Sequence, residues 1–382
     1  MTLLPGMWLT ILGPWRGTIY MSLLVTIFSF LIVLSVVVLV HELGHFAVGR
    51  WAGARIEEFA LGFPPRVWSV RRGETDYSIN AVPLGGYCRF AGEDNPDIQN
   101  GLASLPRRKR GLILAAGVTM NAVLAIVLFA AVYATGFPTP VPTDGIRIAG
   151  VVSGAPADQA GLKPGDIILK IDGTATNDLT VFSATVRSSA GRPVDLLVKR
   201  PDGQEATIRV TPRSDPPANE GPMGIVVEPA MIIQSRSYAL PQALWLGVKQ
   251  AGRATLVTFS VPVMILRGLI PADLARPVGP IGISRVVGSA AEAIPSSGFA
   301  PIFLTTAYLS MSLAIVNILP LPGLDGGRLL FLAIEWLRGG KRLNPQREAI
   351  IHFAGLMLLM GLVVIITYFD IVSPIPTITW GP

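Results

Sequence analysis

The chain of 382 residues is poor in what builds a disulfide scaffold or a water-soluble enzyme. Its one cysteine, Cys88, excludes an intrachain disulfide and any cage of thiolates around a metal. With three histidines, all imidazole chemistry rests on His41, His45 and His352. Only 15% of residues are charged against 51% hydrophobic, and mean hydropathy is +0.54. That balance excludes a globular soluble enzyme and fits a polytopic membrane protein with a soluble insert. The net charge of +6 does not signal a nucleic-acid partner, because the basic residues gather beside apolar runs, where membrane topology accounts for them.

Charge is most completely missing between Tyr20 and Val40, a run long enough to cross a bilayer as a helix. Leu112 to Ala134, Pro301 to Leu319 and Ile350 to Tyr368 qualify in the same way. The loop from Arg50 to Arg110 holds ten basic residues against seven acidic ones, and Arg107-Arg108-Lys109-Arg110 stands directly before the second run. By the positive-inside rule this loop is cytoplasmic, as is the loop carrying Arg338, Lys341, Arg342 and Arg347. The tail from Asp370 has no basic residue, as expected outside. The first twenty residues carry one charge, Arg16, and with Trp8, Trp15 and Tyr20 they read as an interfacial segment, not a signal peptide.

What is present at the end of the first run is chemical. His41 and His45 stand one helical turn apart on one face, so both imidazoles can converge on a single cation. Glu42 projects roughly 100° round from His41, beside such an ion, where a general base for metal-activated water belongs. The pair lacks a third ligand. Asn317-Ile318-Leu319-Pro320-Leu321-Pro322-Gly323-Leu324-Asp325-Gly326-Gly327 breaks the third run, and broken backbone at membrane depth is tolerated where it lines a cavity. Two readings of Asp325 stand open: a cap for a helix from Gly327 to Arg338, or a third ligand that leaves a fourth position for water. The second requires that the stretch 243–270, broken by Pro262 and bounded by Arg253 and Arg267, rest on the outer interface as an amphipathic helix. A crossing there would put Asp325 about 30 Å away on the opposite face. Gly117 and Asn121 in the second run read as helix-packing positions, and His352 as an interfacial or packing histidine.

Composition turns soluble between Asp144 and Glu228, after a proline-rich linker from Pro138 to Pro142. Ile146 to Val152, Ile167 to Ile171, Val194 to Lys199 and Ala206 to Val210 read as strands, and Ala155 to Ala160 and Val181 to Ser189 as helices. In the cytoplasmic loop, Arg66 to Arg72 and Tyr77 to Val82 flank Gly73 as a hairpin. Pro83-Leu84-Gly85-Gly86-Tyr87 reads as a tight turn into another extended piece.

In this order, His41-Glu42-Leu43-Gly44-His45, Pro83 to Tyr87, the soluble insert and Asn317 to Gly327 resemble the site-2 protease family of zinc-dependent intramembrane metalloproteases. The insert, through Ser153-Gly154-Ala155-Pro156-Ala157 and Gly161-Leu162-Lys163-Pro164-Gly165-Asp166, is similar to a bacterial PDZ domain. The resemblance implies a polytopic α-helical membrane protein with a four-helix transmembrane core, a membrane-associated β-hairpin region and an inserted extracytoplasmic PDZ-like α+β domain. Its parts would be 1–20, interfacial; 21–137, the first two spans; 144–229, the PDZ-like domain; 238–300, an interfacial helix and linker; and 301–382, the last two spans. It implies one Zn2+ per chain on His41, His45 and Asp325, Glu42 as the base, and Asn317 holding substrate backbone. It also implies that substrate adds as a strand on the hairpin region.

The expected substrates are single-pass membrane proteins, cut in regulated intramembrane proteolysis or in removal of signal-peptide remnants, with a peptide or carboxy terminus held at the PDZ-like domain. The expected location is the inner cell membrane, multi-pass in the lipid bilayer, with the active site near the cytoplasmic face. The chain departs from the family at Val118, where proline usually follows the glycine matching Gly117. The competing expectation is a non-catalytic adaptor that presents a PDZ domain outside; an intact Glu42 argues against it.

Overall fold

The computed structural model describes residues 13–93, 95, 97–136, 138–217, 220–234, 236–266, 276–341, 344–374, 378 and 380. In chain order these form α1 (Gly13–Ala52), β1 (Ile56–Arg72), β2 (Thr75–Phe90), α2 (Arg107–Thr135), β3 (Thr139–Val151), α3 (Pro156–Gln159), β4 (Ile167–Ile171), β5 (Thr174–Ala175), α4 (Leu179–Ser188), β6 (Val194–Lys199), β7 (Glu205–Val210), β8 (Ile225–Gln234), α5 (Leu240–Leu266), α6 (Pro280–Glu292), α7 (Ile294–Ser297), α8 (Ala300–Ile318), α9 (Asp325–Leu337) and α10 (Pro345–Val372). The chain divides into two compact units, Pro138–Arg236 and the remainder.

In the larger unit, four stretches among the described residues are long and apolar enough to cross a bilayer: Met21–Ala52 of α1, α2, α8, and Gln346–Val372 of α10. They are the four runs that lack charge, and a helix is forced on them because lipid offers no partner for backbone N–H and C=O groups. Residues 13–20 are the first turns of α1 and not a separate interfacial piece, while 1–12 of that expected segment lie outside the described residues.

Small residues bring the helices close. A Cβ on Gly44 would lie 2.5 Å from the Ala116 carbonyl oxygen, so only glycine lets α1 meet α2 at the level of the two histidines. The stretch expected to rest on the outer interface is helical up to Leu266, and its residues 267–270 lie outside the described residues. α5 lies lengthwise against α2: the Tyr238 N–H donates to the Tyr133 carbonyl, Gly247 faces Ile126 and Ala130, and Ala251 packs with Ala125 and Phe129. Ala243, Gly247 and Ala251, four residues apart, give α5 a flat buried stripe, and that stripe is the reason it stands along a span.

The hairpin is more elaborate than the expected one. Residues 66–72 do pair with 75–80 around Gly73, but 56–61 also lie between 86–90 on one side and 76–79 on the other, so two long strands make four extended segments. Gly85 and Gly86 continue β2 as extended backbone, not as a tight turn. Glu58 ties the four together from the middle: it accepts from Ser78 at 2.8 Å, pairs with Arg89 at 2.9 Å and binds Arg66. Burial alone would raise its carboxyl, yet the bonds from Ser78 and Arg66 outweigh burial and hold it below the usual carboxylate range.

The smaller unit is a sheet in the order β7-β6-β4-β3-β8, with β5 on β4. Alternate apolar residues of its strands, Ile146, Ile148, Ile168, Leu196 and Val198, bury one face. Phe182 and Val186, one turn apart on α4, cover that face, and Asp178 caps α4 by accepting from the Thr180 and Val181 N–H groups. Residues 139–142 are strand, not linker: β3 begins at Thr139 and pairs with β8 from Thr139↔Gln234 onward. Proline content hid this because the pairing partner lies some ninety residues downstream, outside any local window.

A carboxyl with a lowered pKa contributes stability above its unfolded pKa, and that contribution fades as pH falls through the folded value. Amide exchange in 56–90 should therefore speed up on acidification below about pH 4. In Glu58→Gln the exchange should be fast already at pH 7, by roughly 1–3 kcal/mol, and lose the pH dependence.

Candidate metal centre and active site

The centre is assembled where three helix segments meet. α1 presents His41 and His45 on one face, 94% and 93% shielded from solvent. α8 ends at Ile318, and the prolines 320 and 322 turn the chain so that Asp325 opens α9. The cap of α9 is Leu324, with no side-chain cap bond, so Asp325 is not the helix cap; its carboxylate points to the histidines. Oδ2 of Asp325 lies 3.0 Å from Nε2 of His41 and 3.3 Å from Nε2 of His45, and the two Nε2 atoms are 3.2 Å apart.

Whether these contacts carry protons is set by the ring tautomers. Nδ1 of His45 lies 2.8 Å from the Ile113 carbonyl oxygen, which only accepts, so the ring proton sits on Nδ1 and Nε2 offers a lone pair. Asp325 Oδ2 is buried and receives no hydrogen bond. With neutral rings, three electron-rich atoms face one another in a group that could hold a metal ion. A tetrahedral zinc with ligands at about 2.0–2.1 Å has ligand–ligand edges of about 3.3 Å, close to the observed triangle.

Two residues of α2 complete the arrangement, and both were read from sequence as packing positions. Asn121 is fully buried, its amide nitrogen 3.2 Å from Nδ1 of His41 and its amide oxygen without a partner. An amide turned end for end would accept the Nδ1 proton of His41 and resolve both facts, leaving Nε2 of His41 free as well. Gly117 is the floor: a Cβ there would lie 2.4 Å from Nε2 of His45 and 2.8 Å from Nε2 of His41. The signal for Asn121 was visible, since a lone strongly polar residue inside a span asks for a role. For Gly117 no local signal separates a site floor from a packing glycine. Val118, beside it, is half-buried and α2 continues through it unbroken.

Glu42 follows His41 by one residue and receives a backbone hydrogen bond from Cys88. With His41, His45, Tyr87, Cys88, Asp325 and others it lines a cavity of ≈ 260 Å³. Asn317, on the last turn of α8, brings its amide nitrogen to 3.4 Å from Nε2 of His41. The structure thus brings together all five of His41, Glu42, His45, Asn317 and Asp325. The end of α8 thus meets α1 at His41, eleven residues before α1 itself ends at Ala52. The carrier of Asp325 is held from two sides: Arg110 of α2 pairs with Glu335 at 2.8 Å, and Glu93 with Arg328 at 3.0 Å. His352 is in fact a packing histidine that also accepts the Gly323 N–H at 2.9 Å, with its ring edge-on to Phe331.

The model of peptidase family M50 matches residues 29–362. The chain belongs to peptidase family M50. A protein of Nostoc sp. named as a candidate zinc metalloprotease is 34% identical over 343 residues, 86% of this chain and 91% of its own. One from Clostridium perfringens, named in the same way, is 34% identical over 352 residues, 90% and 98% of the two chains. The zinc metalloprotease RasP of Oceanobacillus iheyensis is 28% identical over 428 residues, 91% and 98%. This M50 peptidase is a multi-pass membrane metalloendopeptidase of the site-2 protease family that uses zinc.

Two substitutions in α2 test the centre through metal content. Gly117→Ala should insert normally yet purify with little zinc. Asn121→Ala should weaken zinc about 10–100-fold in competition with a chelator, and Asn121→Asp should restore most of the affinity.

Proposed function

We propose that the peptidase cleaves the transmembrane segments of single-pass membrane proteins, with His41, His45 and Asp325 holding zinc, Glu42 as the base and Asn317 positioning substrate. One observation carries the reading: three lone-pair atoms and the Glu42 carboxylate share a cavity at the end of a helix long enough to span a bilayer. Zinc bound there supplies a Lewis acid that polarises a carbonyl and makes water more acidic. Glu42 then accepts a water proton as the oxygen joins the peptide carbon, and returns it to the departing nitrogen as the C–N bond breaks. Asn317, its amide nitrogen 3.4 Å from Nε2 of His41, would hold backbone of the chain being cut.

A peptide bond inside a helix is screened by its own turn, so the substrate must be extended to be reached. Residues 86–90 pair with 56–61 on one edge, and among the described residues no strand pairs with the other. Tyr87 and Cys88 of that segment line the catalytic cavity, which makes the free edge the platform on which an unwound substrate adds as a strand. The charge pattern of the loops supports a site near the cytoplasmic face of the inner membrane, with the unit Pro138–Arg236 outside. Strand order, α4 and a groove between α4 and β8 lined by Phe182, Val186, Arg187, Met223, Ile225 and Val227 support a PDZ-like reading of that unit. It would take a peptide or carboxy terminus, or screen out substrates not yet trimmed outside.

Glu42→Gln should keep its zinc and cut a co-expressed single-span reporter at least about a hundredfold more slowly. Undiminished cutting in that variant contradicts the role given to Glu42. Removal of 144–228 should let untrimmed reporters be cut as fast as trimmed ones; an unchanged ratio defeats the screening role.

A further inference from the structure

A second cleft lies at the end of α1, away from the zinc centre. Of ≈ 670 Å³, it is lined by Arg50, Arg55, Arg72, Thr75, Tyr77 and Asn100 among others. Among the described residues, no carboxylate forms an ion pair with the guanidinium groups of Arg50, Arg55 or Arg72. The one acid on the wall, Glu74, belongs to the turn between β1 and β2 and is exposed. Asn100, at φ 58, offers its carbonyl to the Arg55 N–H at 2.7 Å, so the backbone that carries Arg55 is pinned. Arg50 lies over the Phe46 ring at 5.9 Å, with its charge left for another partner.

Three unpaired guanidinium groups on one concave wall fit a phosphate, which they can grip through paired N–H donors. The position selects the source. α1 is a spanning helix that ends at Ala52, so Arg50 and Arg55 stand where lipid headgroups lie, and Trp51 between them is 73% exposed, as an interface anchor is. Val67 and Trp68 of β1, the strand that ends at Arg72, are also exposed, an apolar surface that suits contact with the bilayer. We propose that this cleft binds the phosphodiester headgroup of an anionic phospholipid. Arg50 follows His45 by five residues, about 7.5 Å along the helix, so a headgroup held here sets the depth at which the zinc centre sits in the membrane. The inference does not depend on the substrate reading, since its test measures lipid and not cleavage.

The test uses the purified full-length protein in mixed micelles of phosphatidylglycerol and phosphatidylcholine, with retained lipid counted by native mass spectrometry. The protein should retain phosphatidylglycerol selectively. Arg55→Gln with Arg72→Gln should lose it roughly tenfold or more. Arg192→Gln with Lys341→Gln, an equal change of charge elsewhere, should not. Arg55→Lys with Arg72→Lys, which keeps both charges but not the paired donors, should lose less than the glutamine variant. Equal retention of the two lipids, no loss in the glutamine variant, or an equal loss in the lysine or control variants overturns the proposal. So does displacement by millimolar inorganic phosphate, which would assign the cleft to the free anion, or displacement by an acidic peptide, which would assign it to a protein partner.

Discussion

Everything else in the larger unit serves one constraint: three atoms with lone pairs, brought from chain positions far apart, must face one another at about 3 Å inside a membrane protein. Left to themselves they repel, and each has been removed from water at a cost of several kcal/mol if charged. A divalent cation would convert that arrangement from a penalty into a bond network, and metal binding and the fold of the core would then be linked quantities. The neighbours are consistent with this demand. A backbone carbonyl and an amide face the outer nitrogens of the two rings, and a glycine leaves room beneath them.

The same demand explains features that look unrelated along the chain. Pro320 and Pro322 stop α8 at the depth of the histidines and let α9 start with Asp325. The basic cluster before α2 reads in sequence as a topology signal, yet two of its members do structural work beside the site. Lys109 donates to the Ala52 carbonyl at the end of α1, and Arg110 pairs with Glu335 of α9. The same charges thereby tie together the helices that carry His41, His45 and Asp325.

In the function proposed above a peptide bond reaches this centre from lipid, and the hairpin region bears on how. Its four segments are locked by Glu58, so it is a firm ledge, and its free edge opens on the catalytic cavity. Firmness matters because strand addition relies on preset backbone groups, whose ordering cost is then already met.

The sequence by itself determined the four spans, the histidine pair and the place of Glu42, because bilayer thickness and helical period are local rules that a run of residues either obeys or does not. It also located Asp325 and Asn317, but left Asp325 divided between a helix cap and a ligand, since a carboxylate after two prolines suits both. Tertiary structure alone turned the Asp325 carboxylate from the helix cap toward the two histidines, placed Asn121 and Gly117 beside their rings, set α5 along α2 and paired residues 139–142 with β8. Each of these depends on a partner remote in the chain, and no window of neighbouring residues carries the distance between two atoms that meet only after folding.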